Sequence, residues 1–165
     1  MSRRLASTGA ALLLVALAGP ALAADAPTRP VQVRLTPADI DGLVQGGATA
    51  GTSGVAGIRT TVLYGDPTKA GPYTIALRVP PNMRIAAHSH RDDRTAVVVA
   101  GVWRFGYGRK ADEALTKVLP PGGFYSEPAG VDHFAMTGPE GASVYISGYG
   151  PTSTDYVEAG DAPKP

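Results

Sequence analysis

From residue 58 onward the chain is cut into short apolar or alternating runs, and nearly every cut is a glycine or a proline. Residues 58–64 are rich in β-branched side chains, and 74–79 alternate polar and apolar positions. Residues 83–90 resume an extended path after the Pro80-Pro81-Asn82 break. Further runs cover 96–100, 103–107, Phe124–Glu127, 133–137 and 143–148. No segment keeps a helical period long enough to build a helical core, so the pattern predicts many short strands joined by turns. With 21 glycines and 15 prolines in 165 residues, the chain is well supplied for such turns. The fold class read from this is all-β, a closed barrel or jelly roll of one domain.

Individual segments carry finer expectations. Residues 31–35 alternate and read as an early strand. Residues 36–40 read as a short N-terminal helix, with Thr36 as N-cap, Pro37 in the first helical position and Asp39 near the positive end. Gly46-Gly47 is expected to stop it. Residues 96–100 form a continuous β run, as expected for a strand covered on both sides, and Gly101 turns the chain. Trp103, Phe105 and Tyr107 then share one face of the next strand. Residues 111–119 are ambiguous, and part of them suits a short helix. Residues 150–165 read as a loose tail, although Tyr149, just before it, and Tyr156 can dock.

The beginning of the chain reads as a leader. Ser2-Arg3-Arg4 is a basic start, residues 10–17 are apolar but too short to span a bilayer, and Ala21-Leu22-Ala23 has the form of a signal-peptidase site. This predicts a signal peptide at 1–23, a disordered linker at 24–30, the barrel domain at 31–157 and a C-terminal tail at 158–165. The mature protein is then periplasmic or secreted. The leader carries two of the 15 basic residues and none of the 14 acidic ones. The near-neutral remainder argues against nucleic acid and, after cleavage, against a membrane surface as partner. With no cysteine there are no disulfides, so stability rests on the core and on any bound metal.

The chemistry-bearing residues are the three histidines. His88 and His90 stand two apart in an extended run, so both imidazoles point to one face and can reach one ion. His133 follows the tight turn Pro128-Ala129-Gly130, which feeds it onto a neighbouring strand. Three neutral imidazoles suit Zn, Fe, Cu, Ni and, less well, Mn. Metal binding is then expected to weaken as the pH falls through about 6, because a protonated imidazole cannot ligate. The alternative is a barrel that keeps the fold and binds no metal.

These residues resemble the two motifs of the cupin superfamily. In the first motif, a glycine is followed after five residues by His-x-His, then by a glutamate, then after six residues by a glycine. His88, His90 and Gly101 match it in register, Asn82 takes the first glycine position and Arg94 the glutamate position. In the second motif Gly122, Pro128, Gly130 and His133 match, and Thr137 replaces the final asparagine. The resemblance covers residues 82–137 and implies a cupin-type β-barrel. It also implies a homodimer as a plausible assembly and a divalent metal held by His88, His90 and His133.

A guanidinium cannot ligate a cation. The departure at Arg94 therefore resembles the three-histidine branch of cupins, which includes iron-dependent dioxygenases of diketones and aromatic acids. The resemblance implies a small-molecule oxidoreductase of dioxygenase type, with Fe as its metal. A non-catalytic metal- or ligand-binding barrel and a zinc-type lyase, hydrolase or isomerase are the other readings. Arg94 is either an anchor for a substrate carboxylate or a solvated turn residue pairing with Asp92 or Asp93. Glu127 shares its strand face with Tyr125. Pointing inward, it serves as fourth ligand, as partner of a ligand histidine or as a base; pointing outward, it is a surface acid. Glu127 and Tyr125 are thus the catalytic candidates. Arg94, Trp103 and Phe105 are the substrate-binding candidates, the two aromatics as pocket wall.

Overall fold

The computed structural model describes residues 32–47 and 51–163. The expected leader and linker lie outside the described residues. Eight strands form one antiparallel sheet that curls on itself. They are β1 (Arg59–Tyr64), β2 (Gly71–Val79), β3 (Arg84–Ser89), β4 (Arg94–Tyr107), β5 (Lys117–Leu119), β6 (Phe124–Glu127), β7 (His133–Gly150) and β8 (Asp155–Tyr156). Strand β7 is the spine. Its second half pairs with β2, its first half with β3, and β4 runs along its other side from Arg94↔Gly148 to Tyr107↔His133. Strands β5 and β6 line the outer edge of β4. This is the barrel expected from the sequence.

The core follows from strand alternation. Tyr73, Ile75, Leu77 and Val79 of β2 face Val98, Trp103 and Phe105 of β4, Tyr125 of β6 and Val144 and Ile146 of β7. Ile75, Val98 and Val144 are wholly buried, and each such side chain contributes about 1.5–3 kcal/mol relative to exposure.

Several segments differ from expectation. The break at Gly101 is no turn between strands, since β4 runs through it with register shifts between Val98 and Ala100 and between Gly101 and Trp103. The runs 133–137 and 143–148 likewise join into the single strand β7. Both long strands bend at the same level. Gly101 has φ 69°, and a Cβ there would lie 2.2 Å from the Gly141 carbonyl oxygen, so the two bends nest only because Gly101 has no side chain. Residues 96–100 are not covered on both sides, because Val97 and Val99 are 40% and 37% exposed while Ala96 and Val98 are buried.

At the N-terminal side, residues 32–35 are exposed and belong to no strand among the described residues, so the expected early strand is not seen there. The helix α1 (Pro37–Asp41) has the expected Thr36 cap, as a capping box with Asp39, but Gly42 already ends it. Residues 111–119 hold a single 3-10 turn, Glu113–Leu115, followed by β5. The expected tail is partly structural: β8 pairs with β3 through His88↔Tyr156, whereas Tyr149 is 65% exposed and does not dock.

Candidate metal centre

Strand register brings the histidines together. His88 and His133 are direct partners across β3 and β7, and their ring centroids lie 4.5 Å apart. His90, just past the end of β3, has its ring 5.0 Å from His88 and 5.1 Å from His133. The turn before β7 is fastened beside it, since Gly130 N–H donates to the His90 carbonyl at 2.8 Å. Gly130 holds φ 70°, which suits glycine at this turn. One ligating nitrogen from each ring can be chosen so that all three lie within 4.8 Å of one another.

All three rings are oriented in the same way by the backbone. Nδ1 of His88 lies 2.7 Å from the Ala86 carbonyl oxygen, Nδ1 of His90 2.5 Å from that of Ser153, and Nδ1 of His133 3.0 Å from that of Val131. A carbonyl only accepts, so each Nδ1 carries the proton and each Nε2 keeps a lone pair. This is the arrangement that outer-shell partners impose on metal-ligating histidines. His133 Nε2 is buried with no hydrogen-bond partner among the described residues. An orphaned acceptor of this kind fits a site for a cation.

Burial keeps the rings neutral. His88, His90 and His133 are 5%, 1% and 1% exposed. Desolvation lowers the His88 pKa to about 4, assisted by His133. Desolvation, and then the Arg94 charge, depress that of His90. Desolvation also lowers His133, against the pull of Glu127. Burial thus favours the neutral form of each ring below the ordinary imidazole range.

Arg94 and Glu127 face the interior at 4% exposure each. They are direct partners across β4 and β6, which explains their contact. The surface readings of both residues are corrected: Arg94 pairs with neither Asp92 nor Asp93. Its Nε donates to Glu127 Oε2 at 2.5 Å, Nη1 to the Gly51 carbonyl at 2.6 Å, and Nη2 lies 2.5 Å from His90 Nε2. Burial opposes its charge, but Glu127, together with Tyr73 and Tyr125, more than offsets that, and its pKa is raised. The two oxygens of Glu127 stand 3.7 Å from His133 Nε2 and 3.8 Å from His90 Nε2. Glu127, on the strand beside β4, thus sets a carboxylate next to two of the three imidazoles.

Trp103, Phe105 and Tyr125 line the same interior, a cavity of about 20 Å³. That is room for an ion or a water molecule. Phe105 stacks 5.4 Å from the His133 ring and 4.2 Å from Tyr125. The indole N–H of Trp103 and the hydroxyl of Tyr125 are buried close to one another, with no other polar partner in good hydrogen-bond geometry among the described residues. Burial, and then Glu127, push the Tyr125 phenol well above its ordinary pKa, so it stays a proton donor. Tyr107, on the same strand face, is 48% exposed and donates to the Ser126 carbonyl at the rim.

Two segments roof the site, and only Tyr156 among their residues carries a sequence signal. Tyr156 donates to the Ser53 carbonyl at 2.5 Å, and Thr154 to that of Thr52 at 2.9 Å. The groups that orient His90 and Arg94 here are the carbonyls of Ser153 and Gly51. Any residue type carries a carbonyl, so only the fold reveals them. Gly51 itself is constrained: with φ 75°, its Cβ would fall 2.4 Å from Thr152 Cγ2.

No family model matches the sequence, and no curated protein matches it. Solved structures do. The chain is similar to the polyketide cyclase RemF from Streptomyces resistomycificus, with 17% identity, a TM-score of 0.61 and coverage of 81% of this chain and 90% of that one. It is similar to a candidate acetylacetone dioxygenase from Methylibium petroleiphilum, with 21% identity, a TM-score of 0.53 and coverage of 82% and 89%. A third is an RmlC-like cupin from Shewanella frigidimarina, with 16% identity, a TM-score of 0.54 and coverage of 74% and 94%. At these identities the likeness shows the fold.

Proposed function

We propose that this chain, a cupin barrel by its fold, is an exported metal-dependent oxidoreductase of dioxygenase type acting on small dicarbonyl compounds. The single observation that carries the metal reading is the common orientation of His88, His90 and His133. Each Nδ1 is tied to a carbonyl and each Nε2 is turned inward. The dicarbonyl substrate is supported by two fold neighbours described as a polyketide cyclase and a candidate acetylacetone dioxygenase.

A divalent ion supplies Lewis acidity toward a carbonyl and, if it is iron, the capacity to reduce dioxygen. The chain's own groups would do the rest. Glu127, buried beside two imidazoles, is placed to take a proton from the acidic carbon between two carbonyls. The Trp103 N–H and the Tyr125 O–H, buried in the cavity wall, are donors that a substrate oxygen would engage. Phe105 closes the apolar wall. The cavity of about 20 Å³ admits no dicarbonyl as it stands, so entry requires the lining or the roof to move.

Export is supported by the leader pattern at 1–23 and is read directly by the mass of the mature N-terminus, expected at Ala24. A homodimer is supported by apolar side chains left on the outer face, among them Val97 and its β6 partner Phe124. The function is tested by loading the mature protein with Fe(II) without oxygen, then following oxygen uptake with acetylacetone and with keto acids. Uptake matched by loss of the dicarbonyl, and abolished in His133→Ala, is expected. Iron bound through the histidines with no uptake on any of these compounds would overturn the dioxygenase reading.

A further inference from the structure

Arg94 uses every arm of its guanidinium inside the site. Nε holds Glu127, Nη2 faces the Nε2 lone pair of His90, and Nη1 holds the Gly51 carbonyl in the roof. His90 has no other nitrogen to offer, because its Nδ1 is committed to Ser153. A ligating imidazole sits about 2.0–2.1 Å from its ion along that same lone pair. The guanidinium nitrogen, 2.5 Å from His90 Nε2, stands in that path.

We propose that Arg94 is an internal cation competing with a divalent metal ion for the Nε2 of His90, beside the Glu127 carboxylate, so that the guanidinium must leave the site and release Gly51 before the site can be filled. The proposal rests on the metal reading above and adds what sets the affinity. Arg94 compensates the buried Glu127 carboxylate, which would otherwise be an isolated charge. A guanidinium stays charged and cannot ligate, so it opposes the ion both by occupancy and by repulsion. The device follows from one exchange of positions: the strand site where the related motif has glutamate bears Arg94, and the carboxylate stands directly opposite on β6 as Glu127.

The test titrates Zn²⁺ alone into wild type, Arg94→Gln and His133→Ala. Glutamine removes the charge and can still donate to Glu127. Arg94→Gln is expected to bind zinc at least about tenfold more tightly than wild type, while His133→Ala loses the site. Arg94→Gln binding no more tightly than wild type, with His133→Ala still defective, would overturn the proposal and leave the metal site standing. Equal binding by wild type and His133→Ala would instead overturn the metal reading beneath it. A readout on the wild type covers the case in which Arg94→Gln does not fold. The Nε–H resonance of Arg94 is expected to shift and lose its protection from exchange as His133-dependent zinc binding saturates. A resonance unchanged at saturation would contradict displacement.

Discussion

Each of the three histidines commits one ring nitrogen to a backbone carbonyl, and that commitment decides what the other nitrogen can do. The same burial that preserves the lone pairs makes the metal-free protein sensitive to acid. His88 holds a pKa of about 4 against an ordinary value of 6.5. Below the ordinary value the unfolded chain binds a proton that the folded chain refuses. Stability contributed by the neutral ring is therefore fully present above that value and is lost as the pH falls toward the folded one. For His88 alone the loss between about pH 7 and about pH 5 is roughly 2 kcal/mol. Urea unfolding of the chelator-treated protein should show a midpoint that drops over this range, and His88→Gln should flatten the slope. A midpoint level with pH would mean that the ring is not held neutral. At this scale the sequence was informative about residue type: the spacing of His88, His90 and His133 pointed to a cluster that the fold does bring together and that could hold a metal ion. It left Arg94 and Glu127 open, because their direction depends on which side of the pleat is the interior.

At the scale of elements, turn chemistry was more legible than strand continuity. Thr36 as cap, Pro128-Ala129-Gly130 as the turn before His133 and the break at Pro80-Pro81 are all where local rules put them. Gly101 was misread because a glycine that ends one strand and a glycine that bends it look alike in sequence. Only the approach of Gly141 from β7 tells them apart. That approach makes Gly101 costly to change. Gly101→Ala puts a side chain at positive φ, 2.2 Å from a backbone oxygen, and is expected to cost about 2–4 kcal/mol. The histidine cluster lies on other residues of the barrel, so zinc affinity of the folded fraction should stay near that of wild type. A loss under about 1 kcal/mol by urea denaturation would show that the bend can be made another way. The roof over the site had no legible signal beyond Tyr156. Its contacts run through the carbonyls of Gly51, Thr52, Ser53 and Ser153, and a carbonyl leaves no mark in a sequence.

For the whole molecule, the barrel converts sequence distance into proximity. Residues from β3, β4, β6 and the start of β7 converge on a cavity of about 20 Å³. Gly51 and Ser53, from before β1, also line it, and Ser153, after β7, holds the His90 ring beside it. Glycine and proline punctuation with alternating runs sufficed for an all-β barrel, because few other arrangements bury so many short strands. The central claim is that this convergence holds one divalent ion through three Nε2 atoms. Anomalous diffraction at the zinc edge, from crystals of protein loaded with one equivalent of zinc, tests it most directly. A single strong peak about 2.0–2.2 Å from Nε2 of His88, His90 and His133 is expected. A peak elsewhere on the barrel, or none within reach of all three rings, would contradict the account.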